Sequence, residues 1–378
     1  HGGRDGGGAM RLRLEKREPI STRARLALPF AAVAISFALS FILILLARAN
    51  PFTAYYYIFY GALGSRTGLA ETAVKATPLL LTGLAAAVAF KARFYNLGGE
   101  GQLCLGALCA AVLGVRLALP RALAVPAIVA AGCAAGAAWA LLAGLLKTRL
   151  KVDEVVVTLL SNYIVICVIS ALLDGPLKDP RTMWPNSAPI LDSARYPLIV
   201  PGTRLHAGAL VALAAAGALW WVMRRSVLGF EIAAVGANPR AAAYAGIPVG
   251  RTVILVSLLS GGLAGLAGAG EVVGLHYNLV EKISPNYGYA GVVIAMLGGL
   301  DPFGVVCAAI LFGVLVTGAE LMSRYTGVPV FLADALQGIV LLVMCAVFVF
   351  TRCRVRVSRG GEESPVCDAR GATEGGAR

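Results

Sequence analysis

The stretch that decides the fold is "TVILVSLLSGGLAGLAGAG", Thr252 to Gly270. It contains no charge, and its only polar side chains are small hydroxyls. An apolar run of about 17–25 residues is long enough to cross the hydrocarbon core of a bilayer as a helix. Runs of this kind recur along the chain. The whole sequence is 58% hydrophobic and only 14% charged, with a mean hydropathy of +0.78. Soluble domains carry about 25% charged residues, so this chain lacks the polar surface a soluble protein of 378 residues would need. The runs do not alternate in the period-two pattern of a transmembrane β-barrel. The expected class is therefore all-α, a polytopic membrane protein.

Reading outward from this run, hydropathy predicts ten spans, at 26–48, 76–90, 100–117, 122–146, 154–173, 206–223, 252–272, 288–300, 303–320 and 330–350. Lys and Arg concentrate on the side that holds the termini, so the positive-inside rule predicts that both termini are cytoplasmic. The domain map is a basic cytoplasmic segment 1–25, a membrane domain 26–350 and a flexible cytoplasmic tail 351–378. The longest outer loops are expected at 49–75 and 174–205, the second rich in proline. The first apolar run is too long for a signal peptide, and no small-residue cleavage site follows it.

The net charge of +13 does not point to nucleic acid, because the basic residues sit at the ends of apolar runs and no basic, aromatic groove is present. The eight Cys form no CxxC pair or zinc spacing, and the three His make no ligand cluster. No metal or catalytic site is expected. No GxxxxGK[ST] loop occurs, so the chain itself is not expected to bind or hydrolyse ATP.

One polar interruption stands out, "GFEIAAVGANPRAAAYAGIPVGR", Gly229 to Arg251, within a predicted cytoplasmic loop 224–251. Asn238 suits an N-cap and Pro239 the first helical position. Gly246 suits the left-handed residue that ends a helix, with Pro248 just beyond. A helix of about two turns is predicted over 239–245. It is too short to be stable alone, so it must pack on something. Tyr244 is its one large contact residue.

A second polar group lies inside predicted spans, where polar side chains are costly and functional by default. Asn96, Glu100 and Gln102 fall where the second and third spans meet, and Asn162 lies within the fifth. They could hydrogen-bond a solute, or they could tie up broken backbone at a bend. Asn162 and Glu320 are weaker candidates, and Asp334 and Gln337 are expected only to line helix contacts. Spans 76–90, 100–117 and 288–300 are short or broken by glycine, a pointer to a transport path.

Four stretches in order carry a family resemblance: "FYNLGGEGQLCLGA" (94–107), "DEVVVTLLSNYI" (153–164), the 229–251 stretch and "GYAGVVIAMLGGLDPFGVVCAAILFG" (288–313). Together they resemble the permease subunits of bacterial ABC importers. The group is the branched-chain amino acid, ribose and nucleoside family, and within it the nucleoside and simple-sugar (basic membrane protein-associated) branch. The first stretch is similar to that branch's Asn-Ile-Gly-x-Glu-Gly-Gln segment. Asp153 departs from the family's usual Asn. The resemblance implies a membrane path in this chain and ATP hydrolysis on a separate ATPase subunit. It also implies a second permease subunit and a substrate-binding lipoprotein or periplasmic protein, in a bacterial inner membrane. It implies that Glu231, Gly236, Asn238, Pro239, Ala243, Tyr244 and Gly246 seat on the ATPase. Asn96, Glu100, Gln102 and Asn162 would border the path. The implied substrate is a nucleoside, a nucleoside-like compound such as riboflavin, or a simple sugar. An ion-coupled secondary transporter is the alternative, and it would need a carboxylate cluster that the scattered intramembrane acids do not make.

Overall fold

The computed structural model describes residues 50–327 without a break. It also describes short helical pieces between 34 and 46 and between 335 and 346, and two strands near the ends. The expected spans 26–48 and 330–350, with Asp334 and Gln337, fall largely outside the described residues. The chain divides into two units, one of residues 1–43 and 335–378, the other of residues 44–334. In the first unit, β1 (Arg11–Lys16) pairs antiparallel with β2 (Cys353–Ser358), Arg11 opposite Ser358 and Lys16 opposite Cys353. These strands are the exception to the expected all-helical class.

The second unit is helical. Its elements are α1 (Pro51–Leu63), α2 (Arg66–Lys91), α3 (Gly99–Arg116), α4 (Arg121–Leu150), α5 (Glu154–Asp174) and α6 (Gly208–Arg225). After them come α7 (Val227–Ala237), α8 (Pro239–Tyr244), α9 (Val249–Glu271), α10 (Tyr287–Leu297) and α11 (Pro302–Thr326). A π-helical turn, Val272–His276, continues α9. Five of these helices are long and apolar enough to cross a membrane, or six if α6 and α7, bent by 74°, count as one span. The chain is thus an α-helical protein with several membrane-crossing helices.

Two expectations change. The segment 49–75, expected as an outer loop, is helical: it holds α1 and the first turns of α2. The span expected as a short 76–90 is the 26-residue α2. Asn50 caps α1 and Ser65 caps α2, Ser65 Oγ accepting from Gly68 N at 2.9 Å. Hydropathy missed these turns because Arg66, Glu71 and Lys75 depress the average. The structure neutralises two of them: Glu71 accepts from Arg204 Nε and Nη2, each at 2.7 Å, and Lys75 donates to Glu320 at 2.8 Å.

α2 lies at the centre of the unit, packed by α1, α6, α9, α10 and α11. α9 packs on α2, α3 and α4. Its approach to α3 is close because Gly106 meets Gly265 backbone to backbone, where a Cβ on Gly106 would strike the Gly265 carbonyl. Such close crossings are how helices gain contact in a membrane, where lipid supplies no hydrophobic drive for association. α5 is peripheral and leaves Val156, Leu160, Tyr163 and Ile164 exposed. An apolar face of that kind suits contact with lipid tails. Asp153 caps α5, its Oδ1 accepting from Val155 N at 2.9 Å. Asn and Asp cap about equally well, so the departure from the family's Asn leaves this helix start intact.

The segment between α5 and α6 is tied down by backbone hydrogen bonds. Ser187 N donates to Leu279 O, Ile190 N to Tyr277 O and Tyr196 N to Val273 O, at 2.8–3.0 Å. It therefore covers the end of α9. Tyr196 stacks on His206 at 5.5 Å, and burial pushes the Tyr196 phenol up to about 12.

Candidate functional site

The polar group forms one junction. α2 ends at Lys91; the N–H groups of residues 92–94 close its last turn onto Ala89 O and Phe90 O, Arg93 taking a left-handed φ of 54°, and residues 95–97 then cross to α3 outside any helix. Broken backbone that is buried must find partners within the protein, and the expected residues supply part of them. Asn96 Nδ2 donates to Gln102 Oε1 at 3.0 Å and to Ser260 Oγ at 2.9 Å. Asn96 Oδ1 accepts from Gly98 N at 2.9 Å and from Gln102 Nε2 at 3.0 Å. Asn162, from α5, accepts from Gly101 N at 2.9 Å and donates to Leu97 O at 2.9 Å and Tyr289 Oη at 3.1 Å. Glu100 Oε2 accepts from Gly288 N at 2.8 Å, joining the start of α3 to the start of α10. Gln102 and Asn162 are 0% exposed.

All four expected residues are therefore brought together, and each is bonded to the protein itself. Sequence reading missed four further side chains that hold the same junction. Ser260 Oγ links Asn96 to Ala85 O, and Thr158 Oγ1 accepts from Leu97 N at 3.1 Å. Glu154 accepts from Tyr95 N and pairs with Lys147, which also donates to Arg93 O. A Ser, a Thr and two helix-end charges carry no distinguishing signal in an apolar chain, because only the fold aims them at the gap. Glu320 stands apart from the junction, paired with Lys75.

The second set lies on the α7–α8 corner. Ser226 turns the chain: its Oγ donates to Val222 O at 2.7 Å and accepts from Gly229 N at 3.1 Å, ending α6 and capping α7. Asn238 Oδ1 accepts from Arg240 N at 3.0 Å and Ala241 N at 3.2 Å, with Pro239 first in α8. Gly246 holds φ at +83° just past α8, a conformation that costs glycine nothing. Glu231 Oε2 accepts from Thr252 Oγ1 at 3.2 Å, tying α7 to α9. Gly236 lies against the Lys91 carbonyl, where a Cβ would collide. Ala242 is buried, Ala243 is exposed and Tyr244 is 97% exposed. The seven residues thus share one corner, and that corner touches the last residue of α2 beside the junction. Sequence reading did not assign α7 as a separate helix, since its composition matches the apolar spans on either side.

The chain matches the model of a family described as "Branched-chain amino acid transport system / permease component" over residues 68–345. It is 34% identical to the glucose ABC transporter permease protein of Haloferax volcanii, over 95% of this chain and 98% of that protein. It is 34% identical to the guanosine ABC transporter permease protein of Bacillus subtilis, over 85% of this chain and 94% of that protein. It is 28% identical to the probable riboflavin import permease protein of Treponema pallidum, over 83% and 84% of the two chains. No solved structure matches it. A helical membrane core, a polar break between α2 and α3 and a family match across most of the chain lead to one assignment: this chain belongs to the branched-chain amino acid transport system permease family of ABC transporters, transport components rather than enzymes.

Proposed function

We propose that this chain is the membrane subunit of an ATP-driven importer for a nucleoside, a nucleoside-like compound such as riboflavin, or a simple sugar. The observation that carries the reading is the likeness to the guanosine permease over 94% of that protein's length. The glucose and riboflavin relatives widen the substrate class to hydroxyl-bearing, ribityl or sugar-like solutes. The relatives favour ATP-driven import over the ion-coupled alternative.

In this reading the chain spans the bacterial inner membrane ten times, with both termini and the 224–251 loop in the cytoplasm. A separate ATPase subunit docks on α7–α8 through Glu231, Gly236, Asn238, Pro239, Ala243, Tyr244 and Gly246. A second permease subunit completes the path, and a binding lipoprotein or periplasmic protein delivers the solute. What supports the docking surface is a capped, two-turn helix with a fully exposed tyrosine, an arrangement a surface helix gains nothing from unless a partner covers it. When ATP closes the ATPase, displacement of α7 would reach the α2–α3 junction through the contact of Gly236 with Lys91. Asn96, Glu100, Gln102 and Asn162 border the path and hold its broken backbone in register.

The test is uptake of radiolabelled guanosine, riboflavin and glucose by cells carrying the chain with its ATPase and binding protein. One of the three should accumulate in an ATP-dependent way. Ala243→Arg should abolish that uptake while the chain stays at its normal level in the membrane. Normal transport and ATPase assembly in Ala243→Arg would overturn the docking assignment.

A further inference from the structure

Ser260, which anchors the polar junction, is one end of a line along α9. Glu271 lies about three turns further along, some 16 Å away, and within about 20° of the same face at 100° per residue. Between them that face carries Ala264 and Ala267, both buried. Glu271 itself is 3% exposed. Its Oε2 has no hydrogen-bond donor among the described residues, and His276 Nε2 stands 3.5 Å away. A carboxylate within a membrane-crossing helix is expensive, and an unfilled acceptor adds to the cost. Buried polar groups are nearly always satisfied, so an acceptor left with only a long contact to His276 asks for a physical reason.

The surroundings are built around this point. α9 ends in the π-helical turn Val272–His276 immediately after Glu271, closed by Tyr277 N donating to Val272 O at 2.9 Å. Tyr277 follows with a left-handed φ of 59°, and the Arg195 guanidinium lies 4.6 Å over its ring. The segment between α5 and α6 closes over the same turn through its bonds to Val273 and Tyr277. Glu271 is therefore a buried acceptor under a cover, in line with the junction and at the far end of α9 from the α7–α8 corner.

We propose that Glu271 is a second station on the solute path, where its carboxylate accepts a hydrogen bond from a sugar hydroxyl of a neutral, hydroxyl-rich solute before that solute reaches the junction at Ser260. Between the two positions this face of α9 carries only the methyl groups of Ala264 and Ala267, both buried, so neither side chain there competes for the hydroxyl. This inference rests on the importer reading. It is distinct from it, because an importer of this family could equally carry Glu271 as a structural group.

The experiment compares uptake of guanosine, 2′-deoxyguanosine and 3′-deoxyguanosine in cells expressing the chain, its ATPase and its binding protein. Wild type is compared with Glu271→Ala and Glu271→Gln, at matched amounts of chain in the membrane. Discrimination by the binding protein is common to all three chains and cancels when ratios are compared. Wild type should prefer guanosine over at least one deoxy analogue. Glu271→Ala should lose about tenfold in guanosine uptake, the scale of a hydrogen bond to a charged group, and should lose that preference. Glu271→Gln should fall between them, and it decides the matter if Glu271→Ala does not accumulate. Guanosine import by wild type with the same analogue ratios in the variants overturns the Glu271 station alone. Failure of wild type to import any of the three nucleosides overturns the nucleoside reading and this inference with it.

Discussion

Asn96 uses its whole hydrogen-bonding capacity. Both amide hydrogens and both carbonyl lone pairs are engaged, with Gln102, Ser260 and Gly98. Removing such a group leaves buried partners unsatisfied, which costs more than the bond itself contributed. Asn96→Ala should therefore destabilise the chain by about 1–3 kcal/mol, read as a lower midpoint in thermal unfolding of the detergent-purified protein. Tyr244→Ala should behave in the opposite way. Tyr244 is exposed, so the thermal midpoint should stay where it is, while substrate-stimulated ATP hydrolysis by the assembled transporter should fall. An unchanged hydrolysis rate would remove Tyr244 from the docking surface. The identity of the four junction residues was legible in the sequence because polar groups in apolar runs are conspicuous. Whether they face the solute or the backbone was not, since that depends on where Gly98, Gly101 and Gly288 present their N–H groups.

Elements meet where small residues permit it. α3 and α9 touch through Gly106 and Gly265, and Gly106→Leu should force them apart. The expected cost is about 1–3 kcal/mol, as for other overpacked interiors. It should appear as a reduced monodisperse fraction after extraction, while Gly250→Leu, where a Cβ meets nothing within 4 Å, should leave that fraction unchanged. The boundaries of α8 were readable from Asn238, Pro239 and Gly246, because capping is local chemistry. The start of α2 was not, because a hydropathy average counts Glu71 and Lys75 as charges. Their ion pairs with Arg204 and Glu320 come from segments more than a hundred residues away.

At the scale of the molecule, the importer reading makes a demand on topology. A reporter fused after Ala243 should be active only in the cytoplasm, and one inserted at Trp184, exposed in the segment between α5 and α6, only outside. The reverse pattern would invert the map and remove the docking surface from reach of an ATPase. The sequence by itself determined that this is a helical membrane protein, because charge is too sparse for a soluble surface and apolar runs have the length of a bilayer. It also determined the family and the caps of the short helix, which depend on neighbours a few residues apart. Only the tertiary structure decided that α2 is the central helix, that Ser226 turns α7 beside the end of α2, and that Glu271 is buried with an unfilled acceptor beneath the segment between α5 and α6. Those features depend on which distant groups meet, and one-dimensional hydropathy has no record of partners.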